Sequence, residues 1–229
     1  MTVDVIITDI IKEYKRGTRV TRALDGVNLS IKSGELVAIV GPSGSGKTTL
    51  LSLIAGLLNP TAGTIVLGDR KLDELDDKEL SHFRNNNIGL VPQGHSLLAN
   101  LTVWENVRLP FYLNKKTGNP DDRAEELLKE LGIIHLKDEY PDTLSGGEIR
   151  RVAIARAMIN DPRIILADEP TGDLDEENTR EIIALFNRIS KQGTTVLIVT
   201  HDLDSIEDIE CVYKMNKGIL TSEKSIKIA

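Results

Sequence analysis

Gly41-Pro42-Ser43-Gly44-Ser45-Gly46-Lys47-Thr48 constrains the fold of this chain more than any other segment. It fits the pattern G-x-x-x-x-G-K-[ST]. The apolar run Leu36-Val37-Ala38-Ile39-Val40 precedes it, and a helical pattern from Lys47 to Leu58, closed by Asn59-Pro60, follows. A strand that passes through glycines into a helix start aims successive backbone N–H groups at one point. The positive end of the helix dipole adds to them, and the result is an anion cradle. In such a loop Lys47 is placed to reach the β- and γ-phosphates of a nucleotide, and Thr48 to ligate Mg²⁺.

Three further apolar runs read as strands: Ile88-Gly89-Leu90-Val91, Ile164-Ile165-Leu166-Ala167 and Thr195-Val196-Leu197-Ile198-Val199. Short, nearly continuous apolar strands suit a parallel sheet covered on both faces. Helical stretches lie between them. Asp121 to Leu131 opens after Pro120 and ends at Gly132, Glu148 to Ile159 stops before Asp161-Pro162, and Glu176 to Lys191 carries Ile182, Ile183, Phe186 and Ile189 on one face. Alternation of strand and helix gives an α/β fold. The stretch from about His95 to Arg156 has few strand signals and reads as a mainly helical insertion. The acidic cluster Asp69 to Glu79 reads as a solvated helix or loop.

Ile164-Ile165-Leu166-Ala167-Asp168-Glu169 sets two acids at the end of a strand. Ligands of open α/β sheets bind at the carboxyl ends of the strands. Alone, this could be a solvated acidic turn, but a phosphate loop upstream needs a second acid. Asp168 is then the expected holder of Mg²⁺, through water, and Glu169 the residue that orients or deprotonates the attacking water.

The 229 residues allow one large domain or a core with a subdomain, and 40% apolar content allows a sizeable core. No apolar run approaches the roughly 18–20 residues that span a bilayer. The start, Met1-Thr2-Val3-Asp4, has an early acid and no basic region, so no secretory signal is expected. Cys211 is the only cysteine and reads as a buried or neutral thiol in a reducing cytoplasm. A net charge of -7 argues against general nucleic-acid binding, which calls for a basic face. It leaves room for one anionic nucleotide held by backbone N–H groups.

Leu144-Ser145-Gly146-Gly147-Glu148, followed by Ile149-Arg150-Arg151-Val152-Ala153-Ile154-Ala155-Arg156-Ala157, resembles the signature of ABC transporter ATP-binding subunits. A Ser-Gly-Gly turn opening a helix is itself a possible anion site; taken alone, Ser145 also reads as a plain helix cap. The resemblance covers nearly the whole chain and extends to Thr49 in the phosphate loop. It implies that Tyr14 stacks on adenine and that Gln93 senses the γ-phosphate and Mg²⁺. It also implies that Gly172-Asp173-Leu174-Asp175 crosses a dimer, with Asp175 at the nucleotide, and that His201 contacts the γ-phosphate. Alone, Tyr14 would read as a packing residue and His201 as an ordinary surface histidine.

The fold that the resemblance implies is an α/β P-loop NTPase, with a RecA-like core, a small antiparallel β subdomain and an inserted helical subdomain. Core and β parts would span about 1–94 and 157–229, and the helical part about 95–156. The implied activity is ATP hydrolysis with Mg²⁺. The expected partners are a second copy, bound head to tail so that Ser145, Gly146 and Gly147 of one chain close on the ATP of the other, and integral membrane permease subunits. Nucleic acid is not expected. The implied place is the cytoplasmic face of the membrane.

Arg22-Ala23-Leu24-Asp25-Gly26-Val27 and Leu101-Thr102-Val103-Trp104-Glu105-Asn106-Val107-Arg108-Leu109-Pro110 resemble the lipoprotein-release and macrolide-export subgroup. The expected role is export or extraction of lipoprotein, peptide or drug; the alternative is an ATPase that regulates a membrane cell-wall or cell-division complex. Pro92, Asp173 and Ile149 depart from the subgroup's usual Phe, Asn and Gln. A segment of about His95 to Leu101, with Trp104, is either a docking surface for the membrane partner or core.

Overall fold

The computed structural model describes residues 2–94, 96–113 and 117–224. Two long strands, β1 (Val3–Arg16) and β2 (Arg19–Lys32), form an antiparallel hairpin over the tight turn Gly17-Thr18. β4 (Ala62–Leu67) pairs with the other edge of β1 and β5 (Arg70–Lys71) with β4, giving the order β2-β1-β4-β5. Val5, Ile7 and Ile10 of β1 all face the core, although their spacing breaks strict alternation. A bulge makes this possible. Asp9 takes a left-handed backbone (φ 49°), its N–H donates to Asn28 Oδ1 and its carboxylate accepts from Asn28 Nδ2.

The second sheet has six strands. They are β3 (Leu36–Val40), β6 (Ile88–Val91), β7 (Ile164–Asp168), β8 (Thr195–Thr200), β9 (Cys211–Asn216) and β10 (Ile219–Lys224), in the order β10-β9-β3-β8-β7-β6. All neighbours in it are parallel except β9 and β10. Successive residues point to opposite faces. Ala38, Val40, Ile165, Ala167, Val196 and Ile198 face one core; Val37, Ile39, Ile164, Leu166, Leu197 and Val199 face the other. Burial on both sides is why these strands read as unbroken apolar runs.

The first core is covered by α3 (Val103–Leu113), α4 (Asp121–Glu130), α5 (Gly146–Met158) and α6 (Glu176–Lys191). Phe186 of α6 is fully buried there, worth roughly 1.5–3 kcal/mol of transfer free energy. The second core is covered by α1 (Lys47–Ile54), by Leu80 of α2 (Asp77–Asn87) and by the antiparallel sheet. Asp4 of β1, buried, accepts from Thr195 Oγ1 of β8 and pairs with Arg163 Nε at 3.2 Å, tying the two sheets together. Burial, with Glu35 beside it, pushes the Cys211 thiol up to about 11, so this free cysteine stays neutral.

Several elements differ from the sequence reading. α1 stops at Ile54 rather than Leu58. Gly56, at φ 62°, lets the N–H of Leu57 bond to Ser52 O and its own N–H to Leu53 O, which closes the helix. α5 starts at Gly146, because Ser145 is its cap. The sequence reading assigned no strand to β1, β2 or β4, whose apolar runs are at most three residues long and are interrupted by exposed polar positions. The acidic cluster 69–79 is exposed apart from Leu72 and Leu75, and holds β5, a short 3₁₀ turn and the start of α2.

Candidate functional site

Parallel register brings four strand ends to one edge of the sheet. Val40 lies beside Thr200, Asp168 beside Val199, and Val91 beside Ala167. The residues at or just past those ends are Gly41, Gln93, Asp168, Glu169, Thr200 and His201, which are far apart in sequence and converge here.

Gly41 to Gly46 turn from β3 into α1. Gly46 sits at φ 113°, and a Cβ there would stand 2.6 Å from Ala23 O; only glycine fits. Lys47 is 5% exposed, and its Nζ donates to the carbonyls of Gly41 (2.7 Å) and Pro42 (3.3 Å). The Pro42 carbonyl also accepts from the N–H of Ser45. Ser45 Oγ is buried without a hydrogen-bond partner. A buried hydroxyl left orphaned beside a lysine and a helix start fits an anion that would complete the loop. Ser43 and Thr48 are exposed and Thr49 is half-buried on the same turn.

Asp168, 6% exposed, accepts from Thr48 Oγ1 at 3.4 Å. Burial pushes its carboxyl above the ordinary value, the nearby Glu169 adds to this, and the Thr48 hydroxyl opposes it. A buried carboxylate facing a hydroxyl fits one divalent cation, since Mg²⁺ is usually held by few protein oxygens, with phosphates and water making up the rest. Among the described residues no group of three His, Cys, Asp or Glu forms a separate metal cage.

Glu169 takes a left-handed backbone, φ 47°. Its N–H bonds to Val199 O at 2.8 Å, and its side chain is buried. Oε2 accepts from Thr200 Oγ1 (2.9 Å) and from the His201 N–H (3.2 Å), with His201 Nδ1 at 3.0 Å. Oε1 stands 3.9 Å from Lys47 Nζ. A cleft beside it is lined by Gln93, Arg150, Glu169, Asp173, Thr200 and His201. Gln93 is exposed at that cleft. Arg150 is buried and donates from Nη1 to Pro92 O. Burial lowers its guanidinium pKa and Asp173 raises it. Neither Thr200 nor Arg150 stands out in the sequence; adjacency to His201 and to the Ser-Gly-Gly turn were the available signals.

The other expected residues lie apart from this cluster. Tyr14 is 42% exposed near the end of β1, and Lys12 Nζ stands 5.4 Å from its ring centroid. Ser145 caps α5 in a capping box: Glu148 N–H donates to its Oγ, and its own N–H and Oγ–H donate to Glu148 Oε2 at 2.8 and 2.7 Å. Those bonds hold the Glu148 carboxyl below the ordinary value. A Cβ on Gly147 would stand 2.5 Å from Asn178 Oδ1, and Gly146 faces Leu174. Asp175 caps α6, accepting from the N–H and the side-chain amide of Asn178. The signature turn thus packs on the segment after Glu169, and no hydrogen bond among the described residues joins Ser145, Gly146 or Gly147 to the phosphate loop.

Fold and site together define a P-loop ATPase: a parallel sheet with a phosphate cradle after β3 and two acids at the end of β7, with β8 between the two strands. The family model described as "ABC transporter" matches residues 24–172, and the chain belongs to the ABC transporter family as an ATP-binding, ATP-hydrolysing subunit. It is 42% identical over 215 residues to the lipoprotein-releasing system ATP-binding protein LolD of Blochmanniella floridana, covering 93% of this chain and 92% of that protein. Two solved structures of the cassette MJ0796 are similar at 40% identity, each covering 96% of this chain and 98% of that one. One is dimeric, in a post-hydrolysis state with ADP and Pi (TM-score 0.88); the other is a dimeric bacterial ABC transporter cassette (TM-score 0.89). The nucleotide-free cassette of an ABC transporter is 27% identical with a TM-score of 0.82. Among the described residues no helix is long and apolar enough to cross a membrane.

Proposed function

We propose that two copies of this chain enclose two ATP molecules head to tail, and that closing and opening of this pair drives separate membrane subunits in export or extraction of lipoprotein. The observation that carries the reading is the division of the site. Lys47, Asp168, Glu169 and His201 meet in one chain, while Ser145, Gly146 and Gly147 open a different helix with no bond to them. A second chain is the natural supplier of that turn. The dimeric MJ0796 cassettes support the pairing, and the relation to LolD supports the cargo over a cell-wall or cell-division role.

In this reading the N–H groups of residues 41–49 and Lys47 bind the phosphates, and Tyr14 stacks on the base. Thr48, Asp168 and Gln93 would hold Mg²⁺, which would supply positive charge against the β- and γ-phosphates. Glu169 takes the proton of the attacking water, while His201 and Gln93 contact the γ-phosphate side. Asp175 holds the segment that crosses to the partner. Residues of about 95–156 act as a helical subdomain on a core of about 1–94 and 157–229. The chain works at the cytoplasmic face of the membrane without nucleic acid.

Docking of the membrane subunits fits the cleft lined by Leu57, Arg84, Ile88, Pro110 and Leu113, where Leu57 and Leu113 are exposed. Leu98 is exposed, whereas Leu97 and Trp104 pack on the first core, so of the two sequence readings Trp104 fits core. His95 lies outside the described residues. The test is Glu169→Gln, which keeps the shape of the site and removes the base. It should cut turnover to a slow residual rate and accumulate a dimer on a sizing column with ATP, and a monomer with ADP. A monomer under both conditions contradicts the reading.

A further inference from the structure

The two carboxylate oxygens of Glu169 are not equivalent. Oε2 is loaded by the Thr200 hydroxyl at 2.9 Å, by the His201 N–H at 3.2 Å and by His201 Nδ1 at 3.0 Å. Oε1 is turned toward the phosphate loop, 3.9 Å from Lys47 Nζ. The groups on Oε2 differ in how firmly they are held. The His201 side chain is 60% exposed and free to turn to another partner. Thr200 is 1% exposed, inside the end of β8, and its χ1 is restricted by β-branching. Its hydroxyl accepts from the Asp202 N–H at 3.1 Å. The hydroxyl has one proton, and with a donor already on its oxygen that proton goes to Glu169. Glu169 itself sits in a left-handed backbone, a conformation that persists only where the surroundings impose it.

We infer that Thr200 is a positioning residue for ATP hydrolysis: it fixes Oε2 of Glu169 so that Oε1 alone faces the water. This rests on Glu169 acting as the base. In the step concerned, the water oxygen bonds to the γ-phosphorus, and the bond from that phosphorus to the β–γ bridging oxygen breaks with its electron pair leaving on ADP. The water proton passes to Glu169 Oε1. Thr200 exchanges no proton; it keeps the acceptor aimed, and misaim of a base by a fraction of an ångström slows the chemical step.

The experiment compares Thr200→Ser with Thr200→Ala in the full chain, measuring kcat and KM for Mg-ATP. Both lose the branch methyl and differ in one hydroxyl. Serine should keep kcat within about threefold of the parent, and alanine should lower it by about tenfold or more, as expected for loss of a hydrogen bond to a charged group. KM should stay within about twofold in both, because the bond serves the transition state and not binding. Thr200→Val, which keeps the shape, should match alanine. Single-turnover hydrolysis adds a second readout. On a Glu169→Gln background, Thr200→Ala should cost less than about a further twofold, since its effect runs through the missing carboxylate. Equal kcat for serine and alanine, a loss confined to KM, or a full further tenfold loss on the Glu169→Gln background overturns the inference. Failure of the underlying reading looks different: Glu169→Gln itself would then turn over like the parent.

Discussion

Lys47 Nζ and Glu169 Oε1 lie 3.9 Å apart, and both side chains are buried. Among the described residues the ammonium also donates to the carbonyls of Gly41 and Pro42. The cation expected at the phosphates is therefore held beside the acid expected to activate water. In the proposed reading, a γ-phosphate entering the loop would take over the lysine and lie next to the carboxylate. Lys47→Ala removes this cation and should weaken ATP binding by about 1.5–3 kcal/mol, roughly ten- to a hundredfold, with turnover falling at least as far. Equilibrium titration with ATP checks it. Unchanged affinity in a folded variant counts against the loop as the phosphate site.

Asp168 gives a prediction of opposite sign for stability. Burial raises its carboxyl pKa, so the folded chain keeps the proton to higher pH than the unfolded one. Folding is then progressively penalised as pH rises from the ordinary carboxylate value through the raised one. Asp168→Asn removes that penalty and still accepts from Thr48. It should raise the thermal midpoint of the nucleotide- and metal-free protein at neutral pH. The gain should shrink as pH falls below the ordinary value, where Asp168 is neutral in both states. Scanning fluorimetry from acid to neutral pH reads both; a lower midpoint at neutral pH contradicts the assignment.

Tyr14 is exposed enough for its ring to meet a base, and Lys12 stands over the ring. Aromatic stacking is worth about 1–3 kcal/mol per base and is tolerant of base identity. Tyr14→Ala should weaken ATP and GTP by similar factors, and Tyr14→Phe should leave both nearly unchanged. Competition binding with the two nucleotides decides it. Intact affinity in Tyr14→Ala leaves Tyr14 as a packing residue.

Much of this was legible in the sequence, for physical reasons. β3, β6, β7 and β8 are read directly because both faces are buried, and α6 because its stripe repeats at helical spacing. β1 and β2 escape that reading, since their outer faces are polar and the bulge at Asp9 breaks the alternation. α2 escapes it too: its polar Asn85-Asn86-Asn87 end hides a helix that the Asp76–Glu79 capping box announces. In the site, motif residues were visible one by one. The three contacts on one oxygen of Glu169 were not, because Thr200 meets that acid only through the pairing of β7 with β8. Ser145 is the helix cap of its plain reading, at the opening of the signature helix; its other reading, as an anion site, belongs to the proposed dimer.

The central claim is that each ATP is closed by two chains, and mixing two defective chains tests it most directly. One carries Lys47→Ala, the other Ser145→Arg, and both carry Glu169→Gln so that trapping is scored without turnover. Each site draws Lys47 from one chain and Ser145 from the other. In a mixed dimer one site therefore holds both defects and the other holds neither. The account predicts about one ATP trapped per mixed dimer, and none by either variant alone, as the pairing of lysine and signature parts requires. Trapping by one variant alone, or by monomers at high dilution, contradicts it and leaves an ATPase complete within a single chain.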